Sequence, residues 1–373
     1  MLLLLIITIS FFFCYFLLLI LYFAGLLSMK GPLGEEPAAH QEVTVVIPFR
    51  NERAGLPGIL ADLLTQTYPA HLFSVILVND HSKDGSDKLV ASLIADKAGF
   101  TCLDLPEGNK GKKEAIAFAH SSISTPWVLQ TDADCRLGPR FISSHMHYLD
   151  EHPSDLVAGM VTSSRAHGGF LEAFERLDLL ALNGTGAASF ALGRPIMCSG
   201  ANLLYSKALY RDTRIFDPAD RTSSGDDMFL LIGARKLKKK LAFNAHIDGL
   251  VSTAPTTSLK ALVAQRIRWG AKSGSYGMVD IQSVAVLVMI VNLLMLAMPL
   301  WILLQAEFSS WLLAGVGMKL LADFMILALT SFKTKQTRTL WWYIPVSLAY
   351  PLYMLLVFAG LFKYRSTWKG RPL

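Results

Sequence analysis

The stretch Trp127-Val128-Leu129-Gln130-Thr131-Asp132-Ala133-Asp134-Cys135 joins an apolar run to an Asp-x-Asp motif. The run from Trp127 to Leu129 predicts a short buried strand. Residues two apart at the end of a strand point to the same side of the chain, so Asp132 and Asp134 can act together. Mg²⁺ and Mn²⁺ prefer such oxygen ligands, usually one or two carboxylates plus substrate phosphates. A solvated turn is the alternative interpretation of the motif alone, and the surrounding sequence decides between them.

The sequence before this motif alternates between apolar runs and helical patterns. Strands are predicted at 43–47 and 73–78, and helices near 55–65, 86–97 and 111–120. Buried strands alternating with helices predict an α/β fold with a mostly parallel sheet and right-handed connections. Ligands of such sheets bind outside the carboxyl ends of the strands. Three polar groups are predicted to lie at those ends: Asn51, Asp80 and the pair Asp132 and Asp134.

The composition is too apolar for an ordinary soluble enzyme. Of the 373 residues, 52% are hydrophobic, and the mean hydropathy is +0.40. Membrane spans are predicted at 2–27, 283–305, 308–330 and 341–362, because roughly 20 apolar residues cross a bilayer. The net charge of +6, from 35 Lys and Arg against 29 Asp and Glu, suits a membrane-proximal or phosphate-handling protein and does not indicate nucleic acid.

The first apolar segment is interpreted as a membrane span rather than a cleaved signal peptide. It has no basic start, its apolar core is long, and no Ala-x-Ala site is evident. The first positive charge, Lys30, follows the span and favours a cytoplasmic continuation. Cys14, Cys102, Cys135 and Cys198 lack metal-ligand spacing and are interpreted as free thiols in a reducing compartment. The soluble part is therefore expected on the cytoplasmic side of the inner membrane.

Six short motifs follow one another between residues 43 and 270. They are Ile47-Pro48-Phe49-Arg50-Asn51-Glu52, Val78-Asn79-Asp80-His81-Ser82-Lys83-Asp84-Gly85, Asn109-Lys110-Gly111-Lys112, Thr131-Asp132-Ala133-Asp134, Gly225-Asp226-Asp227 and Gln265-Arg266-Ile267-Arg268-Trp269. In this order the set resembles the membrane-bound inverting glycosyltransferases of family two, which have the GT-A fold. Cellulose, hyaluronan and poly-N-acetylglucosamine synthases belong to that family, as does ceramide glucosyltransferase.

The resemblance implies a nucleotide-sugar donor and a divalent cation, Mg²⁺ or Mn²⁺. Asp134 would ligate the metal at the donor diphosphate, and Asp132 would help to hold the metal or the nucleotide sugar. Asp80 would hydrogen-bond the base or ribose. Lys110 and Lys112 precede a predicted helix and would face phosphate, with solvent exposure as the alternative. The nucleotide-sugar-binding residues implied by the resemblance are Pro48, Asn51, Glu52, Asp80, Lys110, Lys112, Asp132, Gln265, Arg268 and Trp269.

An acidic pair, Asp226-Asp227, stands where the family usually has Glu-Asp. The resemblance implies a single in-line displacement in which Asp227 is the catalytic base and takes the proton of the acceptor hydroxyl. The shorter first member leaves the catalytic role of Asp226 open. Capping of a helix that begins near Met228 is the alternative for Asp226.

Gln265, Arg268 and Trp269 match the family's Gln-x-x-Arg-Trp motif, and positions i, i+3 and i+4 share one helix face. Leu262 and Ile267 lie on another face, which predicts a helix in the membrane interface with its apolar side toward lipid. The resemblance implies that Arg268 contacts the diphosphate and that Trp269 lines the acceptor channel. Anchoring at lipid headgroups is the alternative for both.

A loop at Ser199-Gly200-Ala201-Asn202 resembles a family loop beside the acceptor site. The acceptor residues implied are Gly200, Asn202 and Trp269. The alternative is a turn before a strand at 203–205.

Charged residues complicate the C-terminal spans. Lys319 and Asp323 lie four apart inside a predicted span and are expected to pair with each other in a packing role. Three C-terminal spans would leave a group of basic residues outside, against the positive-inside tendency. The sequence leaves open whether the segment from Trp341 crosses fully. The basic residues are Lys363, Arg365, Lys369 and Arg371.

These observations predict three parts of the chain. They are a transmembrane helix with the start of a linker (1–30), a cytoplasmic GT-A domain ending in an interfacial amphipathic helix (31–280), and about three C-terminal transmembrane helices (281–373). The expected activity is inverting, metal-dependent transfer of a sugar, from a UDP-sugar by resemblance, to a membrane-associated lipid or growing glycan. No nucleic-acid partner is expected.

Three alternatives are weighed against this activity. The first is a subunit of a processive polysaccharide synthase. The second is a catalytically silent, sugar-nucleotide-binding membrane scaffold. A nucleotidyltransferase is disfavoured, because Phe49-Arg50-Asn51-Glu52 does not supply the loop rich in Gly and Arg that it would need.

Overall fold

The structure is a computed structural model. It describes residues 2–29, 41–164, 168–214, 225–271, 277–304, 307, 309–362, 367–368 and 371–372. The chain divides into two compact units. We call Lys30–Ser164, Met197–Ala254 and Arg365–Leu373 the sheet unit, and Met1–Met29, Arg165–Ile196 and Pro255–Tyr364 the helical unit. Several sequence predictions lie outside the described residues: those on Lys30, on the linker at 31–40, and on Lys363, Arg365, Lys369 and the side chain of Arg371.

The sheet unit contains both strands and helices, whereas the described elements of the helical unit are helices. The strands are β1 (Val43–Phe49), β2 (Phe73–Asn79), β3 (Phe100–Asp104), β4 (Trp127–Gln130), β5 (Cys135–Leu137), β6 (Leu156–Gly159), β7 (Val161–Ser163), β8 (Leu203–Ser206), β9 (Leu241–Asn244), β10 (Val251–Thr253), β11 (Thr367–Trp368) and β12 (Arg371–Pro372). The helices are α1 (Leu2–Ser28), α2 (Leu56–Leu64), α3 (Ser86–Ile94), α4 (Lys112–His120), α5 (Phe141–Glu151), α6 (Phe170–Ala191), α7 (Lys207–Thr213), α8 (Asp226–Lys236), α9 (Leu259–Gly270), α10 (Val279–Leu304), α11 (Ser309–Lys333) and α12 (Tyr343–Leu361).

A seven-stranded sheet, in the order β3-β2-β1-β4-β8-β6-β9, forms the centre of the sheet unit. β1 is parallel to β2 and β4, β2 is parallel to β3, and β6 is parallel to β9. β8 is antiparallel to both of its neighbours, β4 and β6. The predicted mostly parallel sheet is therefore confirmed. A smaller sheet joins β5, β10 and β7.

One inner strand of the large sheet, β1, is buried along its whole length and is mostly apolar. Alternate side chains of β1, from Val43 to Phe49, join a core cluster with Leu56, Ile59 and Leu63 of α2. Burying a side chain of this size contributes roughly 1.5–3 kcal/mol. This packing explains why the predicted strands appear as continuous apolar runs rather than as an alternating pattern.

Polar residues leave the sheet at the carboxyl ends of three adjacent strands. The strands β2, β1 and β4 are neighbours, and they run in the same direction. Asp80 directly follows β2, Asn51 is the second residue after β1, and Asp132 is the second residue after β4. The sheet order therefore brings the predicted polar groups to one edge.

The helical unit contains four helices that are long and apolar enough to cross a membrane. They are Leu2–Ser28, Val279–Leu304, Ser309–Lys333 and Thr337–Leu361. In α11 the Lys319 Nζ donates a hydrogen bond to the Asp323 carboxylate at 2.6 Å, and the Tyr15 hydroxyl of α1 donates to the other Asp323 oxygen, also at 2.6 Å. The predicted pairing of Lys319 with Asp323 is present, and Tyr15 completes it.

The two units divide the chain differently from the predicted 31–280 domain. The segments that carry α6 and α9 group with the membrane helices rather than with the sheet. Packing explains the difference, because Phe174 and Leu177 of α6 form one apolar cluster with Leu262 of α9 and with Tyr353 and Val357 of α12. A division made by hydropathy along the sequence does not detect helices that are only partly apolar.

Candidate active site

The Asp-x-Asp loop leaves β4 on a short turn whose backbone is held by packing. The Asp132 side chain is 34% exposed, and Asp134 is exposed. The Cys135 N–H donates to the Asp132 carbonyl oxygen at 3.1 Å. Gly55, next to α2, packs so closely that a Cβ there would lie 2.7 Å from the Ala133 carbonyl oxygen. The turn therefore presents two carboxylates from a fixed backbone position.

Asp132 and Asp134 suit a hard cation that also binds a nucleotide. Among the described residues, no group of three or more His, Cys, Asp and Glu side chains could hold a metal ion. Mg²⁺ in proteins is usually held by one or two carboxylates and completes its coordination with water and substrate phosphates. The two carboxylates therefore fit Mg²⁺ or Mn²⁺ whose remaining ligands come from a diphosphate and water.

Lys112 lies against the Asp-x-Asp loop. It is the first residue of α4, and its Nζ donates to the Asp132 Oδ1 at 2.5 Å. Its side chain is only 16% exposed. Burial alone would lower the pKa of the Lys112 ammonium, but the nearby carboxylates of Asp132, Asp226 and Asp227 raise it well above its ordinary value. Lys112 is therefore a permanent cation among three carboxylates.

Asp80 fixes the backbone from which Lys112 projects. Asp80 is fully buried, and its Oδ2 accepts a hydrogen bond from the Gly111 N–H at 3.0 Å. Gly111 adopts a φ of +98°, a conformation that side chains rarely tolerate. The neighbouring Lys110 is exposed. This geometry gives Asp80 a role in holding the start of α4, and direct contact with a nucleotide stays a prediction for Asp80 and Lys110.

The loops after β1 and β2 hold each other. Asn51 has a φ of +51°, its N–H donates to the Ser82 Oγ at 3.0 Å, and its Oδ1 accepts from the Lys83 N–H at 2.8 Å. The Glu52 N–H donates to the Ser86 Oγ at 2.9 Å. Left-handed backbone at a non-glycine residue is uncommon and occurs often at functional loops. Asn51 and Glu52 thus shape the edge of the sheet.

Pro48 is a buried residue within β1, where it pairs with Val78 of β2. Its predicted contact with the nucleotide sugar, like those of Asn51 and Glu52, stays a prediction.

The acidic pair begins α8. Gly225, with a φ of +100°, is the residue before the helix, and Asp226 is the first helical residue. The alternative that Asp226 caps a helix beginning near Met228 is therefore wrong, since the helix begins earlier. The Asp226 Oδ2 accepts from the Gln130 Nε2 at 2.6 Å, and the Asp227 Oδ2 accepts from the Gly200 N–H at 2.9 Å. Both carboxylates are held in the first turn of α8, where a helix stabilises negative charge.

Gly200 is the point at which these groups meet. A Cβ at this position would lie 2.6 Å from the Gln130 Nε2 and 3.2 Å from both the Asp226 Oδ2 and the Lys112 Nζ. The absence of a side chain therefore leaves room for an amide, a carboxylate and an ammonium side by side. With Asp132 bound to Lys112 and Asp227 bound to the Gly200 N–H, the motifs from β4, α4, the 199–202 loop and α8 form one cluster. We call this the Gly200 cluster.

Asn202 does not fit the acceptor role predicted for it. It is fully buried, and its Nδ2 donates to the carbonyl oxygens of Met160 and Gly249, each at 2.8 Å. Gly159 packs against the Asn202 amide so closely that a Cβ there would lie 2.4 Å from the Nδ2. Asn202 therefore connects β6, β10 and its own loop inside the sheet unit.

Gln265, Arg268 and Trp269 lie on α9 in the helical unit. Their predicted contacts with donor and acceptor stay predictions. The residue between them, Arg266, is buried instead: its Nε donates to the Asp178 carboxylate at 2.7 Å, and its guanidinium lies 4.2 Å from the centre of the Trp269 ring. Gln265 accepts a further hydrogen bond from Arg266. Burial alone would lower the pKa of Arg266, but the Asp178 carboxylate raises it.

The apolar side of α9 is also placed differently from the prediction. Leu262 is fully buried in the cluster with α6 and α12, and Ile267 packs against that cluster. The prediction that this face meets lipid is therefore wrong for Leu262. Protein neighbours cover it.

Two residues that the sequence did not single out support the site. Gln130 is the last residue of β4, is 2% exposed and orients Asp226. Gly55 allows the backbone of the Asp-x-Asp loop to pack directly against the start of α2. An amide side chain at the end of the predicted apolar strand, two residues before the Asp-x-Asp motif, was the available signal for Gln130, but its partner lies 96 residues away in the sequence.

Two curated relatives and a solved structure are similar to this chain. Undecaprenyl-phosphate 4-deoxy-4-formamido-L-arabinose transferases of Yersinia pestis (strain Pestoides F) and Yersinia pseudotuberculosis serotype O:3 (strain YPIII) are each 29% identical over 143 residues. The match covers 37% of this chain and 42% of each relative, so the chain spans about two-fifths of the length of these curated relatives.

The solved structure shows the fold. The mannosyltransferase PcManGT from Pyrobaculum calidifontis, in complex with GDP-Man and Mn²⁺, has a TM-score of 0.61 at 16% identity. The superposition covers 96% of this chain and 98% of that one. At this identity, the likeness concerns the GT-A fold and not the substrate.

A family model covers the six motifs. The model is described as glycosyltransferase like family 2, and it matches residues 40–271, which is more than half of the chain. The matched range includes the sheet edge, the Gly200 cluster and α9. The chain belongs to glycosyltransferase family 2.

Proposed function

We propose that this chain transfers a sugar from a nucleotide sugar to a lipid in the membrane, with inversion at the anomeric carbon. The observation that carries the proposal is the Gly200 cluster, which joins Lys112 and Asp132 to the acidic pair of α8. Family membership supports sugar transfer, and the four apolar helices support an acceptor that resides in a membrane.

The donor diphosphate is proposed to lie at the start of α4. The Lys112 ammonium and the partial positive charge of a helix N-terminus both favour phosphate. Asp134 and Asp132 would hold Mg²⁺ or Mn²⁺, which supplies positive charge beside the leaving nucleoside diphosphate when it is bound. Asp80 serves this arrangement by holding Gly111. We propose UDP as the nucleotide on the basis of the family resemblance.

A lipid phosphate is the first candidate acceptor. The curated relatives are named for transfer involving undecaprenyl phosphate. A phosphate monoester has a second pKa of about 6, so its oxygen is already anionic near pH 7. Such an acceptor needs no base, and Asp227 would then serve mainly to hold the Gly200 backbone.

A lipid or glycan hydroxyl is the second candidate acceptor. A hydroxyl needs a carboxylate that takes its proton as it attacks. The observation that favours this candidate is the position of Asp227 in the Gly200 cluster, where a hydrogen bond from the Gly200 N–H orients its carboxylate.

One experiment tests the function and separates the acceptors. The purified chain in detergent, with Mn²⁺, is given a panel of nucleotide sugars with either a polyprenyl phosphate or a lipid alcohol, and released nucleoside diphosphate and glycolipid are measured. We expect Asp134→Ala to lower turnover about a hundredfold or more with either acceptor, because the leaving group loses its counter-charge. We expect Asp227→Asn to lower turnover by about 10²–10⁴ with a hydroxyl acceptor and far less with a phosphate acceptor.

Asp212→Asn is the matched control, because Asp212 is a surface carboxylate of the same unit paired with Lys239. Unchanged turnover in both Asp134→Ala and Asp227→Asn would show that the assigned roles are wrong. Nucleotide binding without release of nucleoside diphosphate from any donor would support the silent scaffold instead. A polymeric product would support the processive synthase.

A further inference from the structure

Lys112 donates a hydrogen bond to Asp132, which is one of the two proposed metal ligands. Its Nζ lies 2.5 Å from the Asp132 Oδ1, and with 16% exposure the contact is not an ordinary surface ion pair. Mg²⁺ binds carboxylate oxygen at about 2.1 Å. A cation on the same oxygen would thus lie at most about 4.6 Å from the ammonium. Two like charges at this separation repel each other strongly where water is partly excluded.

The backbone of Lys112 cannot move to relieve this conflict, but its side chain can. Gly111 is held by the fully buried Asp80, and Lys112 is the first residue of α4. The flexible four-carbon stem is therefore the part that can move. Gly200 leaves space beside the Nζ, since a Cβ there would lie 3.2 Å from it.

We propose that Lys112 and the divalent cation compete for Asp132, so that the metal binds tightly only after a nucleoside diphosphate draws the ammonium group away. The proposal rests on the proposed function, because it takes Asp132 as a metal ligand beside a donor diphosphate. A diphosphate offers several anionic oxygens to Lys112 at the start of α4 and also offers ligands to the metal. Lys112 thereby makes metal binding depend on the donor, and the protein without nucleotide binds the metal more weakly.

The test measures metal binding without any turnover. The full chain in detergent is titrated with Mn²⁺, and free Mn²⁺ is followed by electron paramagnetic resonance, first without nucleotide and then with UDP. Without nucleotide, we expect Lys112→Met and Lys112→Gln to bind Mn²⁺ about tenfold more tightly than the original chain, a change of about 1.4 kcal/mol. With UDP present, we expect the order to reverse, because the variants lack the ammonium that faces the diphosphate.

Three controls separate competition from general charge effects. Lys88→Met removes an exposed lysine on α3 and should leave Mn²⁺ affinity as it was. Lys112→Arg keeps the positive charge and should remain weak without nucleotide. Adding Asp132→Asn to Lys112→Met should abolish the gain, since the competed ligand is then missing. Thermal unfolding of each variant confirms that it is folded.

Equal or weaker Mn²⁺ affinity in both neutral variants without nucleotide would overturn the proposal. In that case the metal uses the second oxygen of Asp132 or does not depend on Asp132. A gain that survives Asp132→Asn would also overturn it, because it would then reflect net charge. The titration contains no sugar and no acceptor, so its failure is distinguishable from a failure of the transfer reaction.

Discussion

The two units use buried charge in different ways. In the helical unit the buried cations Arg266 and Lys319 are each paired with one carboxylate, Asp178 and Asp323 respectively. Tyrosine hydroxyls donate to the second oxygen of both carboxylates. In the sheet unit, by contrast, Lys112 is shared, because three carboxylates raise its pKa together. One-to-one pairs with added hydrogen bonds favour a fixed structure, whereas a shared lysine can exchange partners.

The contrast has an energetic reason. A buried ion pair contributes little net stability, but removal of one partner leaves a buried charge and is strongly destabilising. The pairs of the helical unit are therefore expected to matter for folding. The Gly200 cluster is partly exposed at Asp132 and is expected to matter for ligand binding and turnover.

The largest expected effect breaks a pair in the helical unit. Asp178→Asn leaves Arg266 buried against a neutral amide, and we expect a loss of about 3–5 kcal/mol of stability. Thermal unfolding in detergent measures it. Asp178→Leu combined with Arg266→Met should recover much of the loss, because no charge is left buried. Lys239→Met, which opens the exposed pair with Asp212, should change unfolding little. If the buried and exposed variants unfolded alike, the contrast between the units would fail.

A smaller effect is expected when the Gly200 cluster is crowded. Gly200→Ala places a methyl group 2.6 Å from the Gln130 Nε2, and this flexible side chain must move. We expect turnover to fall about a hundredfold, because small displacements of reacting groups are costly, while the unfolding temperature changes little. Gly138→Ala is the control, since its Cβ would lie 3.9 Å from the Asp248 carbonyl oxygen, an ordinary van der Waals contact. A large loss of stability with Gly200→Ala would show that the cluster is structural.

Gln130 offers a milder change in the same cluster. Gln130→Met keeps the length of the side chain and removes the donor to the Asp226 Oδ2. We expect turnover to fall about tenfold with nucleotide binding unchanged, since a hydrogen bond to a charged group contributes about 1.5–3 kcal/mol. Adding Asp226→Asn should cost less than the sum of the single changes if the two residues act together. If the losses of turnover in the two single variants were fully additive in the double variant, Gln130 and Asp226 would act independently.

The smallest expected effect concerns a partly buried histidine, His120. Burial, then Lys207 and Arg214, lower the pKa of His120 to about 3. The unfolded chain takes up a proton near pH 6.5 and the folded chain does not, so stability is lost as the pH falls below 6.5. We expect a loss of about 1 kcal/mol between pH 6.5 and 5.5. Thermal unfolding across this range should show it, and His120→Gln should flatten the profile. His71→Gln, at an exposed position, should not.

Local patterns in the sequence predicted the elements that position the site. The first two strands and β4 appear where apolar runs indicated them, and the Asp-x-Asp motif leaves β4 as expected. Four apolar helices occur at the predicted spans. Lys319 and Asp323 were predicted to pair because both lie on one helix, four residues apart. Each of these features depends on residues close together in the sequence.

The remaining features depend on contacts between distant residues. Nothing near Asn202 in the sequence reveals that Met160 and Gly249 occupy its amide. The burial of Leu262 depends on α6 and α12, which a helical pattern within α9 does not specify. Gln130 and Asp226 meet only because β8 and the loop before it bring α8 to the end of β4. Residue types alone predicted which motifs lie at the sheet edge, but not the contacts that hold those motifs in place.

The mutual hydrogen bonds between the first two loops affect how this chain can acquire a new donor preference. The Asn51 side chain accepts a hydrogen bond from the Lys83 N–H, and the Ser86 hydroxyl accepts one from the Glu52 N–H. The loops after β1 and β2 therefore stabilise each other. A replacement confined to one loop would leave donors without acceptors in its neighbour. Because Asn51, Glu52 and Asp80 are predicted nucleotide contacts, we expect that a change of nucleotide selectivity requires exchange of residues 50–53 and 80–86 together.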